Sequence, residues 1–306
     1  MTFRVPTPDN PLRVLSLGAG VQSSCVLLMS CQGVLPKIDV AIFADTQWEP
    51  KAVYKHLAYL ETEAKCAGIP LHRVTAGDLR ADAIEFRRTG GGSSGEPGYK
   101  RWASMPLYVK NPDGTIGTIN RQCTKEYKIE PIEKFVRREV LGLAPRKVAP
   151  ANAVEHWFGI SADEVYRNRR SLKHWQTFRY PLQVDVASPK RDSLFGRGFD
   201  RQDCKDWLEA HGYPEPPRSA CIGCPFHSDE EWYRLKTTDA EGWADAVAFD
   251  LEIRAADAAL ISSGRFDRLI GLPFLHRSCV PLAEVALDVK AKDLGMANEC
   301  LGMCGV

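Results

Sequence analysis

Two segments carry residues whose types and spacing suit chemistry. The first is Cys221-Ile-Gly-Cys224, flanked by Pro217 and Pro225. The prolines predict a loop or knuckle. Two thiols at this spacing serve one metal site, which needs two further ligands. Iron–sulfur and zinc sites are both open at this point, as is a redox disulfide between the pair. The second is Leu15-Ser-Leu-Gly-Ala-Gly-Val-Gln-Ser-Ser24. Its small residues let the backbone approach an anion. A helix start after them presents free N–H groups and partial positive charge. Ser16, Ser23 and Ser24 add hydroxyl donors. No Gly-Lys-Ser/Thr follows, so this is not a Walker A loop, and Gly-x-Gly-x-x-Gly is absent too. A tight turn for strand–helix packing is the plain alternative.

Basic residues form two further groups. Arg167, Arg169, Arg170, Lys173 and His174 make one, and Lys190, Arg191, Arg197 and Arg201 the other. They read either as a solvated face or as the lined entrance for a polyanion, because the arginine fork donates two parallel hydrogen bonds to phosphate. Phe195-Gly-Arg-Gly198 is a Gly-rich loop suited to closing over substrate. Trp175 and Phe178 are candidates for base stacking or for half-buried core.

The elements that must position these groups alternate. Leu12–Leu17 reads as a buried strand, then a helix over about Ser23–Gln32. Ile38–Ala44 is a second strand. The next helix carries Val53, Leu57, Leu60 and Ala64 on one face. Pro70–Thr75 is a weaker strand. Such strand–helix–strand units predict an α/β fold with a doubly wound parallel sheet. Thr89–Gly98 reads as a flap, and Asn111–Gly114 as a turn between short strands. Residues 129–141 read as a helix and Val154–Ile160 as a core strand. Ser161–Glu164, Ser228–Glu231 and Thr238–Glu241 match capping boxes. The sheet is expected over residues 1–185. A mainly helical, Cys-bearing section over 186–306 is expected to pack on it as one unit.

Composition sets the frame. The chain has 306 residues, with 40 Lys+Arg against 39 Asp+Glu. That excludes a uniformly basic nucleic-acid coat, though not a local basic groove. No apolar run approaches the roughly 18 residues of a membrane span. Met1–Pro6 lacks the apolar core of a signal peptide. A cytoplasmic chain is expected, whose 10 Cys are thiols, ligands or redox centres rather than structural disulfides. Cys25, Cys31, Cys66 and Cys279 read as small core residues.

Gly18-Ala19-Gly20-Val21-Gln22-Ser23 resembles the PP-loop of the adenine-nucleotide alpha-hydrolase superfamily, whose ATP-pyrophosphatase version reads Ser-Gly-Gly-x-Asp-Ser. Leu17 precedes it on the strand. Gln22 replaces the acidic residue, as in the sulfate-reductase branch, while the glycines look more like the ATP-using branch. Phe43-Ala-Asp45-Thr46 resembles the strand end that lies beside adenosine in these enzymes. Gln122-Cys123-Thr-Lys-Glu-Tyr-Lys128-Ile-Glu-Pro131 resembles a Cys…Lys-x-x-Pro segment, with Lys128 as anion contact. Trp157-Phe-Gly159 through Glu164 and Arg167 resembles a Gly…Glu…Arg turn, and Arg179–Leu182 the short strand after it.

The resemblance implies a HUP-like sheet and a nucleotide site of Ser16, Leu17, Gly18, Ala19, Gly20, Gln22, Ser23, Ser24, Asp45, Thr46, Gly159 and Arg170. Lys128, Arg167 and Arg170 would neutralise a leaving pyrophosphate or sulfate. Cys123 would join Cys221 and Cys224 around a 4Fe-4S cluster, zinc being the main alternative. Cys204, Cys300 and Cys304 are candidates for the fourth ligand, with Cys304 preferred. Glu299-Cys300 resembles the reductases' terminal Glu-Cys-Gly, making Cys300 a candidate mobile nucleophile. The implied activity is that of an ATP pyrophosphatase using ATP and Mg²⁺ to activate a nucleic-acid acceptor, DNA or RNA, for sulfur insertion. DNA phosphorothioation enzymes are the nearest analogy. A cysteine desulfurase or other sulfur donor is the implied partner, and a homodimer is compatible with it. The alternatives are reduction of adenylyl sulfate or its 3′-phosphorylated form, and a non-catalytic zinc-bearing nucleic-acid adaptor.

Overall fold

The computed structural model describes residues 3–84, 87–89, 98–100, 105–183, 198–263 and 271–287. Within them lies a five-stranded sheet whose strands all run parallel. It contains β1 (Leu12–Leu17), β2 (Val40–Ala44), β3 (Leu71–Val74), β8 (Val154–Phe158) and β9 (Gln176–Arg179), in the order β3-β2-β1-β8-β9.

The inner strands β1 and β2 are largely apolar because both faces are covered, whereas the edge strands β3 and β9 are mixed and partly exposed. On one face, Leu15, Leu17, Ala41 and Phe43 pack against α1 (Val21–Cys31) and α2 (Lys51–Cys66). The alternate residues Leu12, Val14, Val40 and Ile42 pack against Ile132 and Val136. Ile132 lies on α4 (Glu130–Phe135), which π-helical turns at Lys125–Ile129 and Val136–Val140 flank. The expected helix over 129–141 is thus one α segment between two wider turns. On α2, Val53, Leu57, Leu60 and Ala64 all face inward, as their spacing predicts.

Small strands complete the fold. β4 (Arg87–Thr89) pairs with β5 (Gly98–Lys100). β6 (Tyr108–Lys110) and β7 (Ile116–Thr118) form the hairpin expected around Asn111–Gly114, and β10 (Leu272–Phe274) joins β6. A second core brings Trp48, Leu79, Leu107 and Tyr127 together with Cys221, Trp232, Phe249 and Leu275. It therefore draws on both sides of position 185. The short α3 (Leu79–Ile84), α6 (Asp229–Thr238) and α7 (Ala240–Ser263) surround it, while α5 (Arg201–Ala210) packs on α1.

Capping differs from expectation at two places. Ser228 and Glu231 form the predicted box on α6. Ser161 makes no cap bond, because the chain after it turns as a 3₁₀ helix, Ala162–Arg167. Thr238 ends α6 and bonds back to Arg234 O. It is Asp239 that receives the Gly242 amide, at 3.0 Å, in the first turn of α7. The aspartate is one residue nearer the helix, so its carboxylate reaches the free N–H groups. α5 carries an unforeseen capping box from Asp200 and Asp203.

Candidate functional site

Strand order 3-2-1-8-9 reverses direction between β1 and β8. In open parallel sheets ligands bind at that switch point, outside the carboxyl ends of the strands. β1 ends into Gly18-Ala19-Gly20 and β8 into Gly159. Gly18, Gly20, Gln22, Ser23, Gly159 and Arg167 line one cleft of about 620 Å³, which Arg201, Arg218, Ser219, Cys224 and Phe226 close from the other elements.

The turn is tight for stated reasons. Ala19 sits at φ 56°, in the left-handed region. The Ser23 hydroxyl lies 3.2 Å from the Gly18 amide and accepts its hydrogen bond. A Cβ on Gly159 would fall 2.5 Å from Ser23 N and 2.6 Å from its Cα, so only glycine lets β8 approach the start of α1.

Ser16 and Ser24 are placed otherwise than the resemblance implies. Both are buried behind the turn, and neither lines the cleft. Ser16 Oγ is 2.7 Å from His156 Nε2, and Ser24 Oγ 2.9 Å from His56 Nε2. Burial lowers both histidines to about 4, so each is a neutral support for the turn. Leu17 and Ala19 are buried in the first core beside them.

Gln22 explains its own presence. Its amide donates to Glu164 Oε2 at 3.2 Å and to Ser161 Oγ at 3.4 Å, while Arg167 donates to the same Glu164 oxygen at 2.7 Å. A carboxylate at position 22 would face Glu164 with like charge. Arg167 therefore stands in the cleft. Arg170 is exposed and lines neither cavity. The cations that join Arg167 are Arg201 and Arg218. Arg201 was legible only as part of a loop cluster, and Arg218 carried no signal beyond its nearness to Cys221. Burial, then the neighbouring Arg218, lowers Arg201 below its ordinary range.

Asp45 and Thr46 part company. Asp45 accepts from the Gln47 amide at 2.8 Å and from the Tyr54 hydroxyl at 2.8 Å, which locks the turn between β2 and α2. Thr46 instead lines a second cavity of about 450 Å³. Cys123, Lys128, Cys221 and Cys224 lie in the same wall, beside Leu79 and Met105. Lys128 thus stands among thiols rather than beside the phosphate turn. Its Nζ lies 3.5 Å from Oε1 of Glu49, a fully buried carboxylate that no sequence signal singled out. The same oxygen accepts from Thr46 at 3.1 Å and from the Cys221 thiol at 3.5 Å. Burial, then the Glu49 carboxylate, pushes Cys221 well above the ordinary thiol range.

The knuckle is held from below by Trp48. Ile222 N donates to Trp48 O at 2.8 Å, and a Cβ on Gly223 would fall 2.0 Å from the Trp48 ring. Ala220 and Cys224 belong to both cavities, so the knuckle is their common wall. Arg121, from the thiol cavity, lies over the Phe226 ring of the cleft, 5.6 Å from its centroid.

Three soft donors in one cavity suit iron–sulfur or zinc by type. Among the described residues, however, no group of three or more His, Cys, Asp or Glu side chains is arranged as a finished metal site. Cys204 does not contribute. It is buried on α5 against Cys25, whose hydrogen bond, together with burial, raises its thiol. Cys25 and Cys279 are buried as expected, Cys31 is partly buried and Cys66 is exposed at the end of α2. Trp175 is buried and Phe178 packs edge-on to Phe158, so both serve the fold. Cys300, Cys304, Lys190, Arg191, Arg197 and most of the Thr89–Gly98 segment lie outside the described residues. No helix among the described residues is long and apolar enough to cross a membrane. No known protein family, curated protein or solved structure matches the chain.

Proposed function

We propose that the chain is an adenine-nucleotide-dependent sulfur-handling enzyme of the PP-loop kind, an ATP pyrophosphatase that activates a nucleic-acid acceptor for sulfur insertion. One observation carries this reading. The Gly18–Ser23 turn lines a cleft with three arginines, and that cleft shares the Ala220–Cys224 wall with a cavity of three thiols. Phosphate chemistry and sulfur chemistry thus have adjoining compartments.

In this reading the turn and Gly159 hold the nucleotide phosphates, and the arginines offset charge that develops on the leaving group. An acceptor oxygen attacks the α-phosphorus, the α–β bond breaks and pyrophosphate leaves. The outer sulfur of a donor such as a desulfurase persulfide then attacks and displaces AMP, leaving donor and acceptor joined by an S–S bond. A second thiol cleaves that bond, forming a disulfide with the donor's sulfur and freeing the sulfur-bearing acceptor. Mg²⁺ arriving with ATP offsets charge on its phosphates. Cys123, Cys221 and Cys224 are the residues that would hold a cluster or zinc, with Cys304 as fourth ligand. When bound, a cluster supplies electrons or a sulfur-binding iron. Cys300 is the proposed mobile thiol of the tail.

A second reading, reduction of adenylyl sulfate, is favoured by Gln22. The turn carries no carboxylate there, and Glu164 beside it is engaged by Gln22 and Arg167. Product analysis separates the two. ATP with Mg²⁺ is expected to give AMP and pyrophosphate once an acceptor is present. Release of ADP and phosphate overturns the proposal. Sulfite from adenylyl sulfate, without ATP cleavage, transfers the assignment to the reductase.

A further inference from the structure

The chain between β10 and the 3₁₀ turn Leu282–Glu284 lines neither cavity. It contains His276-Arg277-Ser278-Cys279, a turn in which Cys279 N donates to His276 O at 3.0 Å. Ser278 is exposed, whereas His276 is only 4% exposed. Ser278 Oγ lies 2.7 Å from His276 Nδ1, and His276 Nε2 lies 3.0 Å from Oδ1 of Asp229, in the first turn of α6. The Ser278 amide also donates to Nδ1, at 3.2 Å. Nδ1 therefore carries the ring's lone pair, and the ring proton sits on Nε2, where Asp229 accepts it. That tautomer leaves Nδ1 able to take the proton of the Ser278 hydroxyl.

The surroundings hold this arrangement still. Asp250, buried on α7, accepts the Leu275 amide and the Leu282 amide, each at 2.9 Å, and so clamps the segment at both ends. Cys279 is held at φ 52°, a strained conformation for a residue with a side chain. Arg277 Nη2 donates to the other oxygen of Asp229 at 3.0 Å, so both carboxylate oxygens are engaged. Burial raises the Asp229 carboxyl, but its bonds to His276 and Arg277 outweigh that and hold it below its ordinary range. A turn needs only its backbone bonds. It has no use for an exposed hydroxyl set on a buried imidazole that a carboxylate from another element orients. That is the arrangement of an activated serine.

We propose that Ser278, His276 and Asp229 form a separate catalytic site, in which Ser278 is the nucleophile toward small activated carboxylic esters. Ser278 Oγ bonds to the carbonyl carbon, and its proton passes to His276 Nδ1. The ester C–O bond breaks, and His276 gives that proton to the departing alkoxide. Water then attacks the acyl-serine, with His276 taking its proton and returning it to Ser278 Oγ, so that a carboxylic acid and the free serine result. Asp229 is a positioning residue that fixes the tautomer of His276. A surface turn suits a small ester that needs no enclosing pocket. The site stands apart from the glycine-turn cleft and does not depend on the nucleotide reading.

A fluorophosphonate probe tests this on the full chain. Attack forms the bond from Ser278 Oγ to phosphorus, breaks the P–F bond and releases fluoride, and mass spectrometry of peptides maps the label. Wild type is expected to take the label at Ser278 and to release p-nitrophenol from p-nitrophenyl acetate. Ser278→Ala should lose both and melt as wild type does, because that side chain is exposed. His276→Gln should label at least roughly 100-fold more slowly, the worth of a general base. Asp229→Asn keeps its shape but no longer fixes the tautomer, and should slow labelling in the same direction. Free imidazole should restore part of the rate to His276→Ala, which it would not do for a histidine that only braces the turn. Absence of label at Ser278 in wild type overturns the proposal. So does labelling of wild type and a normally folded His276→Gln at one rate, which is what an exposed hydroxyl alone gives.

Discussion

His156 and His56 show how residues outside the cleft support the turn that lines it, each through a serine behind that turn. Each is neutral because burial holds its imidazole near 4, against an ordinary 6.5. A folded value below the unfolded one means that stability is complete above about pH 6.5 and is lost as pH falls toward 4. For His156, fully enclosed beside β1, the loss approaches about 3 kcal/mol at the acid end. Thermal melts are expected to be flat from pH 7 to 8 and to drop between pH 6 and 4. His156→Gln keeps a polar partner for Ser16 and should flatten that slope, and an unaltered slope would remove His156 from the account. The thiols divide at the same scale. Cys221→Ser should lower the iron or zinc content of anaerobically purified protein, which for a cubane cluster begins near about four irons per chain. Cys204→Ser should leave it intact, because Cys204 is packed against Cys25. Metal-free wild-type protein, or equal loss in both variants, contradicts the assignment of Cys123, Cys221 and Cys224.

Between elements, the decisive contacts are backbone approaches that admit no side chain. Gly159→Ala places a methyl group within 2.6 Å of the Ser23 backbone, so β8 and α1 must separate. Nucleotide affinity is expected to fall at least about tenfold, or 1.4 kcal/mol, with a lower melting temperature. Gly117→Ala, whose new methyl meets nothing within 4 Å, is the matched control. Equal affinities for the two would mean that the turn does not hold the nucleotide. Gly223→Ala drives a methyl into the Trp48 ring and should disturb the common wall, so that metal content and nucleotide binding decline together. The helix faces and strands were legible because period and apolarity report burial directly. The caps at Ser161 and Thr238 were misjudged because the four-residue pattern does not say which residue the chain leaves in extended conformation.

At the scale of the whole molecule, the cleft joins two cores, one under the parallel sheet and one around Trp48, Trp232 and Phe249. A ligand that bridges them should protect both walls. Hydrogen exchange with saturating AMP is expected to slow at residues 18–24 and 218–226 together. Protection confined to the first segment would mean that the knuckle is no part of the nucleotide site. The sequence alone determined the parallel sheet, the glycine turn after β1 and the loop that carries Cys221 and Cys224, because each is a local pattern of period, backbone freedom or proline placement. Only the tertiary structure decided which charges face the turn. It withdrew Ser16 and Ser24 into the core, set Lys128 and Thr46 among the thiols, left Arg170 in solvent and brought in Arg201, Arg218, Ser219 and Glu49. The reason is geometric. Residue type says what a side chain can do, but the switch between β1 and β8 and the packing of α5 on α1 decide which distant residues share a wall with it.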